Sequence, residues 1–181
     1  MFDFIKNEKI FNQIKFLITV DEMKNILRRN LVSDGSRREN DAEHSWHLAM
    51  LAMILEEYSA EKVDIERVLK ITLVHDLVEV YAGDTFAYDV KGNEDKLDRE
   101  IASAEKLFGI LKDGQGEEIR ALWDEFEAKE TPEARFAKVM DNIQPIMLNA
   151  ATDGRAWKEH EVKLSKILNR NKTTPENSPA L

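Results

Sequence analysis

Residues 65–79 read I-E-R-V-L-K-I-T-L-V-H-D-L-V-E, and the fold follows from this stretch. At about 100° of turn per residue, Thr72, His75, Asp76 and Glu79 share one side of a helix. Val68, Leu69, Ile71, Leu73, Val74, Leu77 and Val78 run nearly all the way round it, the pattern of a helix enclosed by protein. A His, an Asp and a Glu inside such a helix need partners, because uncompensated buried charge is costly. A divalent cation is one such partner. Asp64 is the expected N-cap, the helix is expected to end near Val80, and the turn Tyr81-Ala82-Gly83-Asp84-Thr85 follows at once. That turn carries Asp84 to the mouth of whatever His75 and Asp76 build, where catalytic side chains often sit.

Around this helix the composition is that of a helical protein. Seven glycines and four prolines in 181 residues are few, and Leu, Ala, Glu and Lys recur in long runs. The expected fold is all-α, a single-domain bundle of about six to eight helices over residues 1–170, with 171–181 a polar tail prone to disorder. No run reaches the ~18 apolar residues of a membrane span, and M-F-D-F-I-K-N-E lacks the features of a signal peptide, so a cytoplasmic protein is expected. Without cysteine, any metal must be held by His and carboxylates. A net charge of −9 argues against nucleic acid or an acidic membrane surface as partner.

The remaining elements follow from periodicity and end signals. Phe4, Ile5, Phe11, Ile14 and Ile18 give a first amphipathic helix over 2–18, and a short second one is expected over 21–28. Residues 30–40, with Ser33-Asp34-Gly35-Ser36, read as a positively charged loop. Asn40 and Glu43 form a capping-box pair that opens a third helix, with His44 in its first turn and Leu48, Leu51 and Leu55 continuing on His44's side. His47 is turned away and reads as an ordinary hydrogen-bonded histidine. Helices are expected over 94–108 and 117–129, and Thr131-Pro132 starts another. In that helix Asp141 points inward, opposite Arg135, Lys138, Asn142 and Asn149, and Pro145 predicts a kink. A last helix is expected over 157–169.

His44, His75, Asp76 and Asp141 thus come from three separate helices. If they meet around a six-coordinate cation, two positions remain for water and a substrate oxygen, as in a hydrolytic site. Imidazoles with carboxylates suit Mn²⁺, Co²⁺, Fe²⁺, Zn²⁺ or Ni²⁺, and Mg²⁺ less comfortably. The pattern resembles the HD-domain phosphohydrolase superfamily, and in particular its small 5′-deoxynucleotidase branch. The blocks that carry this are E-N-D-A-E-H-S at 39–45, H-D-L-V-E-V-Y-A-G-D at 75–84, and L-W-D-E-F-E at 122–127 leading into F-A-K-V-M-D at 136–141. The resemblance implies a homodimer, one divalent metal held by His44, His75, Asp76 and Asp141, and hydrolysis of a nucleoside 5′-monophosphate to nucleoside and phosphate. It implies also that Glu79 orients or deprotonates the attacking water and that Asp84 serves the leaving group or the sugar. Arg37, at the branch's spacing before the first His, is the expected phosphate contact. The best-known bacterial members carry an Arg-Trp pair where this chain has Lys24-Asn25-Ile26-Leu27-Arg28-Arg29. Two other readings share these residues: an HD-type hydrolase of a nucleoside triphosphate, cyclic nucleotide or non-nucleotide phosphate, and a non-catalytic nucleotide-binding helical dimer.

Overall fold

The computed structural model describes residue 2 and residues 4–181. Helix α1 (Glu8–Val20) is capped by Asn7, whose side chain accepts from the Ile10 amide at 3.0 Å. The helix expected over 2–18 therefore begins only at Glu8, and Asp3 of that range lies outside the described residues. The expected second helix is only a 3-10 turn, Asp21–Asn25. It is too short to hold helix against a competing extended pairing. The chain instead enters β1 (Leu27–Leu31), which pairs antiparallel with β2 (Arg38–Asn40) in a two-stranded sheet. The expected loop is thus a hairpin, and Gly35 supplies the positive φ of its turn. Strand alternation turns Arg28 and Asn30 inward while Leu27 and Arg29 face out.

Helix α2 (Asp41–Leu55) opens with the expected capping box between Asn40 and Glu43. α3 (Ile65–Val74) is capped by Asp64, and α4 (Glu79–Ala82) follows after a break. Then come α5 (Lys96–Phe108), α6 (Gln115–Ala128) and α7 (Pro132–Ala151), the last capped by Thr131. The expected last helix is two short ones, α8 (Arg155–Glu159) and α9 (Leu164–Arg170), because the chain between them turns at Glu161, whose φ is +50°. The tail is ordered, not loose: α10 (Thr174–Asn177) lies against α7, Thr174 and Ser178 are buried, and the Ala60 amide donates to the Asn177 carbonyl at 2.9 Å. The helical bundle expected from the sequence is what forms, with the small hairpin added.

Two apolar clusters make the core. Leu48, Leu51, Val68, Ile71, Phe136 and Met140 join α2, α3 and α7, with Phe126 from α6. Phe16, Val78, Leu107, Phe108 and Trp123 join α1, α5 and α6 to the segment after α3. Ile71 belongs to the first cluster and Val78 to the second, so His75 and Asp76 sit on the seam between them.

The single helix expected over 65–80 breaks at that seam. The His75 amide still bonds to the Ile71 carbonyl, four residues back, but Leu77 bonds to Val74, Glu79 to Asp76 and Val80 to Leu77, three back. The tighter winding turns about 120° per residue, so side chains three apart eclipse. Asp76 and Glu79 consequently stand one above the other. Leu73, expected inside, is 51 % exposed. α7 runs on through Pro145.

Candidate metal centre

Three elements deliver the ligand candidates. His44 projects from the first turn of α2 and is fully buried, His75 and Asp76 follow the end of α3, and Asp141 lies midway along α7. Donor atoms of His44, His75 and Asp141 all lie within 4.8 Å of one another. Asp76 Oδ2 is 3.1 Å from His75 Nε2 and 3.7 Å from His44 Nε2, and Asp141 Oδ1 is 3.2 Å from His44 Nε2. The four residues singled out from the sequence are therefore brought together.

The donor set fits a divalent cation. His75 Nδ1 donates to the Thr72 carbonyl at 2.8 Å, which turns Nε2 toward the cluster, 3.1 Å from Asp76 Oδ2. Burial, and then the Arg28 guanidinium, pull the His44 imidazole down to about 4. It is neutral at ordinary pH, as a metal ligand must be. Burial would raise Asp76, but His75 and Arg28 hold it far below the usual carboxylate range. Asp141 is likewise held low against its burial, chiefly by Lys138 and its bond to His44. Its Oδ2 takes Lys138 Nζ at 2.6 Å and the Arg170 guanidinium at 3.1 Å.

Lys138 was expected opposite Asp141 but reaches back to it, and Asn142, Gln144 and Asn149 are buried too, so α7 is enclosed on most sides. Its apolar pattern understates this because polar side chains fill the interior with bonds of their own. Gln144 Nε2 donates to Glu39 Oε1 at 2.5 Å and lies 3.3 Å from His47 Nδ1, and the Asn149 amide donates to the Pro145 carbonyl. His47 is thus the hydrogen-bonded histidine its position suggested.

A second acidic group adjoins the first: Asp41, Glu79 and Asp84 place carboxylate oxygens within 4.8 Å of one another. Burial, then Asp76 and Asp41, push Glu79 well above its ordinary value, and burial and Asp76 push Asp41 to about 7. Glu79 Oε2 and Asp41 Oδ2 are buried without hydrogen-bond partners. Burial raises Asp84 as well, although Arg28 opposes it.

Arg28 is the residue the sequence reading missed here. Its Nη1 lies 2.8 Å from Asp76, 3.2 Å from Asp41 and 4.0 Å from Asp84, and its Nε is 3.8 Å from Glu39. Only strand pairing turns it inward, and no helical periodicity could have indicated that. Arg37, by contrast, is not brought to the cluster. It grips the Glu43 carboxylate through both amino groups, at 2.8 and 2.6 Å, and faces a separate surface groove with Trp46 and His47.

The cluster opens into a cleft lined by residues of β1, α5, α6 and α7. His75, Asp76, Glu79, Asp84 and Asp141 line its floor, and Arg28, Arg29, Lys96, Lys138 and Arg170 bring positive charge to it. Phe86, Tyr88 and Trp157 form an aromatic wall. Among the described residues no helix is long and apolar enough to cross a membrane.

The family described as HD domain matches residues 20–181 of this chain. The 5′-deoxynucleotidase HDDC2 of Danio rerio is 32 % identical over 137 residues, covering 75 % of this chain and 67 % of the relative. The 5′-deoxynucleotidase hdd1 of Schizosaccharomyces pombe is 30 % identical over 143 residues, covering 76 % and 71 %. This chain therefore spans about two thirds of the length of such relatives. The crystal structure of a predicted metal-dependent phosphohydrolase from Magnetospirillum magnetotacticum MS-1 superposes with a TM-score of 0.89 at 45 % identity, covering 95 % of this chain and 86 % of the other.

Proposed function

From the premise that this chain belongs to the HD-domain family and is a metal-dependent phosphohydrolase, we propose that it hydrolyses (deoxy)nucleoside 5′-monophosphates to nucleoside and phosphate. The observation that carries the reading is the convergence of His44, His75, Asp76 and Asp141 beside a raised acid pair and several cations, with His75, Asp76 and Asp141 lining one cleft and His44 just behind them. These four residues hold the cation. When bound, it lowers the pKa of a water and neutralises phosphoryl charge.

The chain's own groups do the rest. Glu79 takes a proton from the attacking water at Oε2, which is buried at the cleft without a hydrogen-bond partner. Asp84, also raised, returns a proton to the departing sugar oxygen or bonds the sugar. Arg28, Lys96 and Arg170 meet phosphoryl oxygens, in the place first expected of Arg37. The wall of Phe86, Tyr88 and Trp157 suits the flat face of a nucleobase, which favours a nucleotide over a simple phosphate ester.

The test is release of inorganic phosphate from 5′-deoxyribonucleoside and ribonucleoside monophosphates with Mn²⁺ or Co²⁺, alongside triphosphates, cyclic nucleotides and non-nucleotide esters. Monophosphates are expected to turn over and Asp76→Ala to abolish turnover. Robust hydrolysis by that variant sinks the reading, and turnover confined to another class reassigns the substrate.

The reading includes a homodimer. What supports it is α2, apolar on both faces: Leu48 and Leu51 are buried, while Trp46, Met50, Met53 and Ile54 form an exposed stripe. Light scattering is expected to give twice the 20.9 kDa chain mass, and Ile54→Glu to shift it toward the single chain. A wild-type protein that runs as a monomer at all concentrations contradicts this part.

A further inference from the structure

Each metal-facing imidazole has a second nitrogen, and what that nitrogen meets decides which one carries the proton. For His75 the answer is local, since Nδ1 donates to the Thr72 carbonyl at 2.8 Å. For His44 it has to come from elsewhere in the fold. His44 is fully enclosed and its Nδ1 has no hydrogen-bond partner. Facing it at 3.7 Å is Glu39 Oε2, which is also buried and also without a hydrogen bond. Enclosed polar atoms are normally paired, so two orphans facing each other call for an explanation.

A neutral imidazole has one N–H to give. Asp141 Oδ1, 3.2 Å from Nε2, and Glu39 Oε2, on the other side of the ring, compete for it. Coordination through Nε2 needs that nitrogen's lone pair and so sends the proton to Nδ1. We propose that Glu39 is the positioning residue for His44, accepting the Nδ1 proton and thereby holding Nε2 ready for the cation. This rests on His44 being a metal ligand, as read above. Glu39 is itself fixed from behind: Gln144 Nε2 donates to Glu39 Oε1, so its amino end faces Glu39.

That arrangement makes Glu39→Gln diagnostic. Because Gln144 presents an amino group, the new amide turns its oxygen toward Gln144 and its own amino group toward His44. An amino group there donates to Nδ1 and drives the ring proton to Nε2, the wrong nitrogen for a cation. Mn²⁺ titrated calorimetrically into metal-stripped protein is expected to bind Glu39→Gln about 10–100-fold more weakly than wild type. The exchange variant Glu39→Gln/Gln144→Glu reverses the pair, returns an oxygen to Nδ1 and is expected to recover most of the affinity. In Zn²⁺-loaded wild type, nitrogen chemical shifts are expected to place the His44 proton on Nδ1. Wild-type Mn²⁺ affinity in Glu39→Gln, no recovery in a folded exchange variant, or a bare Nδ1 in the Zn²⁺ form overturns the proposal. A wild type that binds no Mn²⁺ overturns the metal reading, and the proposal falls with it.

Discussion

Arg28 carries one positive charge into a space bounded by Glu39, Asp41, Asp76, Glu79 and Asp84, and its own acidity is suppressed accordingly, burial being outweighed by those carboxylates. Without it Asp76 and Asp41 lose the cation between them. Arg28→Gln is expected to lower kcat/KM by about 100-fold or more, the usual cost of removing one charge-stabilising donor. Arg37→Gln, which breaks a pair at the surface, is expected to change it far less. Steady-state kinetics on both variants decides which arginine meets the phosphate; a larger loss from Arg37→Gln would reverse the assignment. At this scale the sequence was informative where chemistry and helical phase coincide. His44, His75, Asp76 and Asp141 lie on helices or at their ends and could be placed by period. Arg28 and Glu39 lie on paired strands, and their direction depends on a partner several residues away.

The join of α6 to α7 shows what single elements contribute. Thr131 caps α7 by accepting from the Ala134 amide at 3.1 Å and also donates to Glu125 Oε1 at 2.6 Å, while Arg67 of α3 holds the same carboxylate. Three helices meet at one carboxylate. Burial would raise Glu125, but the Arg67 and Thr131 bonds bring it below its ordinary value of 4.5. A group lowered by folding stabilises above its unfolded pKa, and the contribution is lost as pH falls through its folded pKa. Glu125→Gln is therefore expected to cost about 1 kcal/mol at pH 7 and progressively less below the ordinary carboxylate value, where wild type loses the same term. Urea melts of both proteins at pH 7 and pH 3.5 test this; a gap that widens in acid contradicts it. The caps Asn40, Asp64 and Thr131 were legible because the signal lies within four residues. The break after α3 was not, because an apolar run fits either winding.

For the whole molecule, the segment least suggested by composition is the polar end. Thr173–Leu181 has little apolar surface, yet Ser178 is fully buried and α10 braces α7, the helix that presents Asp141. The segment is held by packing against α7 and by the Ala60 amide, which donates to the Asn177 carbonyl. Truncation after Lys172 is expected to lower the melting temperature by roughly 5 °C, corresponding to about 1–3 kcal/mol at this size. An unchanged thermal transition in the truncated protein would show the segment to be dispensable.

The tight winding after α3 sets a rule of spacing. Asp76 and Glu79 eclipse because three residues make one full turn there, so replacing Leu77 or Val78 alters packing but leaves both carboxyls aimed into the cleft. Adding or deleting one residue between them would swing Glu79 by about a third of a revolution, out of the cleft. Here the length of the peptide between the two acids matters more than its composition.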